Sequence, residues 1–180
     1  MYFLIKTIWF LLPSGRANLV PPIAAKLIPR WDTPVDFGAT LRGKRLLGPH
    51  KTFRGLASGI LLASITLKTQ CFISTHVSVF QNLEESSAFC DLWWLGPWLG
   101  FAALTGDLFK SFLKRQFDIR PGHSWFPWDQ IDWILGTLVA AYPIFKFNFL
   151  FALSAIIVGL ALSFAAKVIG YWIGVNSHRI

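Results

Sequence analysis

Gly106 to Gly136 reads GDLFKSFLKRQFDIRPGHSWFPWDQIDWILG, with apolar segments on both sides of it. Four of the chain's nine acidic residues fall inside it, namely Asp107, Asp118, Asp129 and Asp132. Asp107, Lys110, Ser111, Lys114 and Arg115 follow an i, i+3, i+4, i+7, i+8 pattern, which a helix gathers on one face. After a Pro121-Gly122 turn, Asp129 and Asp132 are three residues apart and share a face if the chain resumes as a helix. Three carboxylates that converge beside cations suit a hard divalent metal holding a polyphosphate. On pattern alone, a solvated basic loop joining two helices accounts for the same residues.

Composition decides the surroundings of that stretch. Of 180 residues 54% are hydrophobic, with nine Trp and seventeen Phe, and the mean hydropathy is +0.51. That is too apolar for an ordinary soluble domain, so the expected class is an all-α integral membrane protein, about five transmembrane helices in one bundle. The expected organisation is a single domain, 1–180, with spans near 3–28, 56–79, 93–112, 129–145 and 149–173 and polar loops at 29–55 and 113–127. The net charge is +8, and most of it sits in those two loops rather than along a soluble surface. Phosphate contact and topology are therefore the expected roles of the bases, and nucleic acid is not an expected partner.

Within the first span, Pro13-Ser14-Gly15 predicts an interruption, which leaves Arg16 at depth. Arg16 is then either a phosphate partner in a polar cavity or a side chain that snorkels to the surface. Ala57, Ser58, Gly59, Ala63 and Ser64 open the second span with a small-residue face that permits close helix contact and is compatible with a homodimer. Cys71 and Cys90 have no zinc-type spacing; they either pair, if they face an oxidising compartment, or remain free buried thiols.

The order of residues carries a more specific signal. Gly106-Asp107, Ser111, Lys114-Arg115, then Pro121-Gly122-His123, then Asp129-Gln130-Ile131-Asp132 resembles the membrane CTP-dependent cytidylyltransferase superfamily. Phosphatidate cytidylyltransferases carry Arg where Gln130 stands, and the D-Q-x-D form followed by Gly136 looks like the CDP-archaeol synthase branch. A second block agrees: Thr33-Pro34-Val35-Asp36-Phe37-Gly38 and Gly48-Pro49-His50-Lys51-Thr52-Phe53-Arg54-Gly55 resemble that family's first loop. The Lys-Thr spacing and the lack of a preceding strand exclude a Walker A loop.

The resemblance implies transfer of a cytidylyl group from CTP to a lipid phosphate, giving a CDP-lipid of the CDP-archaeol type and pyrophosphate. It implies Asp107, Asp129 and Asp132 as catalytic residues holding Mg²⁺, with Lys114 beside them. Lys51, Thr52, Arg54, Lys110, Ser111, Arg115, His123 and Gln130 are the implied substrate-binding residues. A diacyl acceptor, as in phosphatidate cytidylyltransferases, is the alternative substrate, and a small non-catalytic transporter subunit is the alternative class. The D-G-x-x-A-R pattern of CDP-alcohol phosphotransferases is absent. Because the opposite loops carry Glu84, Glu85 and Asp91 with only Lys68 and Lys146, the positive-inside rule puts both motif loops in the cytoplasm. The expected location is thus the cytoplasmic membrane, with the active site facing the cytoplasm and His178-Arg179 inside.

Overall fold

In a computed structural model of the chain, residues 2–81, 83, 89–119, 123 and 125–172 are described. The Pro121-Gly122 turn, Glu84, Glu85 and His178-Arg179 lie outside these residues. Among the described residues the long elements are helices: α1 (Tyr2–Leu27), α2 (Phe53–His76), α3 (Leu95–Gln116), α4 (Trp128–Phe145) and α5 (Phe149–Trp172). Two segments, Phe53–His76 and Phe149–Gly170, are long and apolar enough to cross a membrane by length and composition. Among the described residues the regular elements are helices apart from a small antiparallel hairpin, Thr40–Leu41 with Lys44–Arg45, that sequence reading did not anticipate.

The expected break near Pro13 does not occur. α1 is helical from Tyr2 to Leu27, with Pro13, Pro21 and Pro22 inside it. A proline removes one backbone donor, whereas opening a turn in apolar surroundings leaves several groups unbonded. Pro13 is fully buried, and the next residue ties α1 to α3, Ser14 Oγ donating to the Leu99 carbonyl at 3.3 Å. Thr52 caps α2 by accepting from the Gly55 N–H, and Asn148 Oδ1 accepts from the Phe151 N–H at the start of α5.

α1 packs along α2, α2 on α3 and α3 on α4, while α5 lies outside against α1 and α4. Phe10, Leu11, Leu95, Leu99 and Ile134 fill the centre without solvent contact. Cys71 and Cys90 form a disulfide that ties α2 to the segment leading into α3.

The tightest glycine contacts lie between α3 and α4. A Cβ on Gly136 would meet the Ala102 carbonyl, and one on Gly106 would meet the Asp132 carbonyl. These contacts set the register of the two helices, so that Asp107 and Lys110 come level with Asp129 and Asp132.

Gly136→Ala should therefore force α3 and α4 apart and lower stability by about 1–3 kcal/mol, the usual range for overpacking. Gly15→Ala serves as the control, because its Cβ would meet only the Trp133 ring at an ordinary 3.4 Å. Thermal unfolding in detergent measures both; equal midpoints for the two variants would contradict the close-approach account.

Candidate functional site

Lys110 on α3 is the hub of the site. Its Nζ lies 2.9 Å from Asp107 Oδ1, 3.3 Å from Asp129 Oδ1 and 2.7 Å from Asp132 Oδ2. Asp107 also pairs with Lys51 of the first loop. Lys114 Nζ reaches both oxygens of Asp129 at 3.1 Å and donates to the His123 carbonyl. The Trp125 N–H donates to Asp129 Oδ2 at 2.6 Å, and the Trp133 N–H to Asp132 Oδ1 at 2.7 Å. The Asp132 side chain is only 4% exposed. Its Oδ2 is buried against the Lys110 ammonium.

The first loop is built to deliver Lys51. Its two motif pieces pair with each other: the Val35 N–H donates to the Lys51 carbonyl at 2.8 Å, and the Phe53 N–H to the Thr33 carbonyl at 3.1 Å. Asp36 holds the remainder. Arg45 forks onto its carboxylate at 3.1 Å, and the N–H groups of Gly38, Leu47 and Gly48 donate to it. Burial by itself pushes the Asp36 carboxyl up, but the Arg45 guanidinium and the three N–H groups override it and hold the carboxyl well below the usual carboxylate range. Lys44 anchors the hairpin to the end of α3, donating to the Gln116 carbonyl at 2.8 Å and pairing with exposed Asp118. A cation at a helix C-terminus also complements the helix dipole.

The residues singled out in the sequence divide into two groups. Asp107, Asp129, Asp132, Lys51, Lys110 and Lys114 converge. Thr52 acts as a helix cap, and Arg54 is buried with one guanidinium nitrogen donating to the Ile28 carbonyl. Ser111 is buried on α3. The Nε of Arg115 is buried without a hydrogen bond. His123 contributes its backbone carbonyl, its side chain being exposed. Arg16 is exposed on α1. Gln130 is buried, and its amide is satisfied when its nitrogen donates to the Pro127 carbonyl, 3.0 Å, and its oxygen accepts from Lys167 Nζ, 2.8 Å. Lys167 escaped sequence reading altogether. The signal for it was a lone cation inside an otherwise apolar helix.

Among the described residues no three acidic, His or Cys side chains are arranged as metal ligands. Each carboxylate is turned to a lysine, because carboxylates this close repel one another and the nearest ammonium takes the shared position. The donor set still fits a hard cation: three carboxylates direct oxygens at one point, held by a flexible lysine stem that can withdraw.

An apolar groove of about 490 Å³ runs between α3 and α4 to this point. Trp98, Phe101, Phe109, Leu135 and Val139 line it, and Lys110 and Asp132 stand at its charged end. An amphiphile with a charged head and a long hydrocarbon chain matches both parts.

Known proteins resemble this chain over most of its length. The CarS-like family model, described as CDP-archaeol synthase, matches residues 1–178. The CDP-archaeol synthase of Thermococcus kodakarensis is 33% identical over 137 residues, 76% of this chain and 72% of that protein. The Archaeoglobus fulgidus enzyme of the same name is 34% identical over 147 residues, 79% of this chain and 77% of its own length. The Methanocaldococcus jannaschii enzyme is 27% identical over 174 residues, covering 96% and 95%. A solved intramembrane enzyme for archaeal membrane lipids biosynthesis superposes with a TM-score of 0.72 at 28% identity, covering 92% of this chain and 94% of that one. The chain is thus an integral membrane protein.

Asp36→Asn should loosen the first loop, since an amide cannot match the guanidinium fork and turns a donor toward backbone N–H groups. Trypsin cleavage at Arg42, Lys44 and Arg45 should accelerate by about 10-fold or more, with the helices intact by circular dichroism. Because the folded carboxyl lies below its unfolded value of 3.8, its contribution is complete above about pH 5 and declines as pH falls further. Unchanged cleavage of the variant at pH 7 would remove Asp36 as the loop's organiser.

Proposed function

This chain belongs to the CarS-like family, the CDP-archaeol synthases, and we infer that it transfers a cytidylyl group from CTP to an ether-linked lipid phosphate. A phosphate oxygen of the lipid attacks the α-phosphorus of CTP. The new O–P bond forms as the bond to the β-phosphate breaks, and the electron pair leaves with pyrophosphate. A phosphomonoester is already ionised at neutral pH, so no strong base is required. Catalysis then consists of positioning and of meeting charge as it shifts toward the leaving group.

The observation that carries this reading is the junction of the apolar groove with the Lys110 carboxylate cluster. The groove keeps hydrocarbon out of water while the head group meets the charged residues. Lys51, Lys110 and Lys114 are paired with carboxylates and exchange those partners for phosphate oxygens when substrate enters. Asp107, Asp129 and Asp132 are the residues that would hold Mg²⁺, which supplies charge neutralisation on the phosphates.

The charged site lies at one end of the bundle and the disulfide at the other. Thr52 begins α2 beside the site and Cys71 is nineteen residues further on, about 28 Å along a helix and close to the thickness of a bilayer core. Basic loops on the site side and a disulfide on the far side both support a site facing the cytoplasm.

The test is pyrophosphate release by the purified protein with CTP, Mg²⁺ and a digeranylgeranylglyceryl phosphate, against ATP and against a diacyl phosphatidate. Release with CTP and the ether lipid is expected; its absence with every lipid phosphate would favour the transporter reading. Asp107→Asn, Asp129→Asn and Asp132→Asn should each lose about 100-fold in kcat while remaining folded, about 2.7 kcal/mol. Asp118→Asn should be almost silent, since its pair with Lys44 is exposed.

Orientation has its own check. With Cys71 and Cys90 paired, a cysteine introduced at His50 or Val79 is the one free thiol among the described residues. An impermeant maleimide should label Val79→Cys on intact cells and His50→Cys only after lysis. The reverse pattern would turn the proposed topology over.

A further inference from the structure

Lys167 is the one charged residue of α5, and a cation in so apolar a helix faces a polar interior rather than lipid. Its Nζ rests on the neutral Gln130 amide at 2.8 Å. Gln130 follows Asp129 in the chain, so the Lys167 ammonium lies beside the charged cluster. Lys51, Lys110 and Lys114 are each neutralised by a carboxylate, while no carboxylate of the described residues lies within ion-pair distance of Lys167. Four ammonium groups therefore face three carboxylates, and the surplus positive charge belongs to Lys167.

Its direction of approach matters as much as its charge. Gln130 is two residues before Asp132, about 200° around α4. Asp132, Leu135, Gly136 and Val139 line the apolar groove, so Lys167 enters the site from the side of α4 opposite the groove. In an in-line phosphoryl displacement the attacking and leaving oxygens lie on opposite sides of the phosphorus. A lipid phosphate arriving from the groove end leaves the far side for the departing group.

We propose that Lys167 binds the β- and γ-phosphates of the nucleotide and meets the charge on the pyrophosphate as it leaves. This rests on the reading that CTP is the donor. The competing account is that Lys167 only holds Gln130 in place. Lys167→Gln separates the two, since an amide still hydrogen-bonds Gln130 but carries no charge.

The experiment titrates inorganic pyrophosphate, and separately CMP, into the detergent-purified full chain with Mg²⁺, by calorimetry. Lys167→Gln and Lys167→Met should both bind pyrophosphate at least about 10-fold more weakly, the scale of one charged hydrogen bond. Both should keep CMP affinity and the KM for lipid phosphate, and Lys167→Arg should restore most of the pyrophosphate affinity. Ser163→Ala removes a bond of the same α4–α5 interface, Ser163 Oγ to the Gln130 carbonyl, and should leave pyrophosphate binding unchanged. Pyrophosphate binding by Lys167→Gln equal to that of the unaltered protein would overturn the proposal. So would an equal loss for CMP and lipid phosphate, or an unaltered protein that does not bind pyrophosphate. If the unaltered protein releases no pyrophosphate from CTP, the cytidylyltransferase reading itself fails; if release is normal and only the Lys167 variants disagree, this inference fails alone.

Discussion

Backbone contact between α3 and α4 at Gly106 and Gly136 is the constraint on which the site depends. Because neither position carries a side chain, the helices approach until carbonyl oxygens fill the space a Cβ would take. That depth of approach lets a lysine on one helix reach carboxylates on the other. Asp129 and Asp132 need only be one turn apart on α4, and Asp107 and Lys110 one turn apart on α3, for all four to meet. The same two helices diverge enough on their outer face to leave the apolar groove. One packing decision thus produces both the charged cluster and the apolar groove of the proposed site.

Buried charges of this density are not a stability device. Desolvating an ion costs several kcal/mol, which an ion pair only partly offsets. The cluster is better understood as a preorganised polar environment whose internal pairs stand in for the substrate's own charges. Lys110 holds three carboxylates together, and in the proposed reaction phosphate oxygens compete for the same ammonium. Such exchange replaces one set of charged partners with another instead of transferring bare ions from water.

The first loop solves a different problem, that of holding a lysine rigidly from outside the bundle. Asp36 gathers Arg45 and three backbone N–H groups, and Lys44 fixes the hairpin to the end of α3. Lys51 is then presented to Asp107 from a strip whose backbone is paired to Thr33 and Val35. The mutual pairing of the two motif pieces gives a physical reason for both to be there: one supplies the functional side chains and the other the strut beneath them.

Much of this was legible in the residues. Periodicity and hydropathy decide the all-helical membrane class, since apolar side chains and an internally bonded backbone have few other solutions in lipid. The i, i+3, i+7 spacing decides which of Asp107, Lys110 and Lys114 share a face, because helix geometry is local. The order of motif residues was enough to indicate the family. Pro13 misled, because local propensity favours a break that burial overrides. The motif gave Asp36 its place in the chain but not its role, since three of its four partners lie nine to twelve residues away. The ammonium at the centre of the carboxylates and the place of Lys167 beside Gln130 were decided by tertiary structure. Which charges face one another across helices depends on the register of packed backbones, and two glycines set that register through contacts that no local pattern encodes.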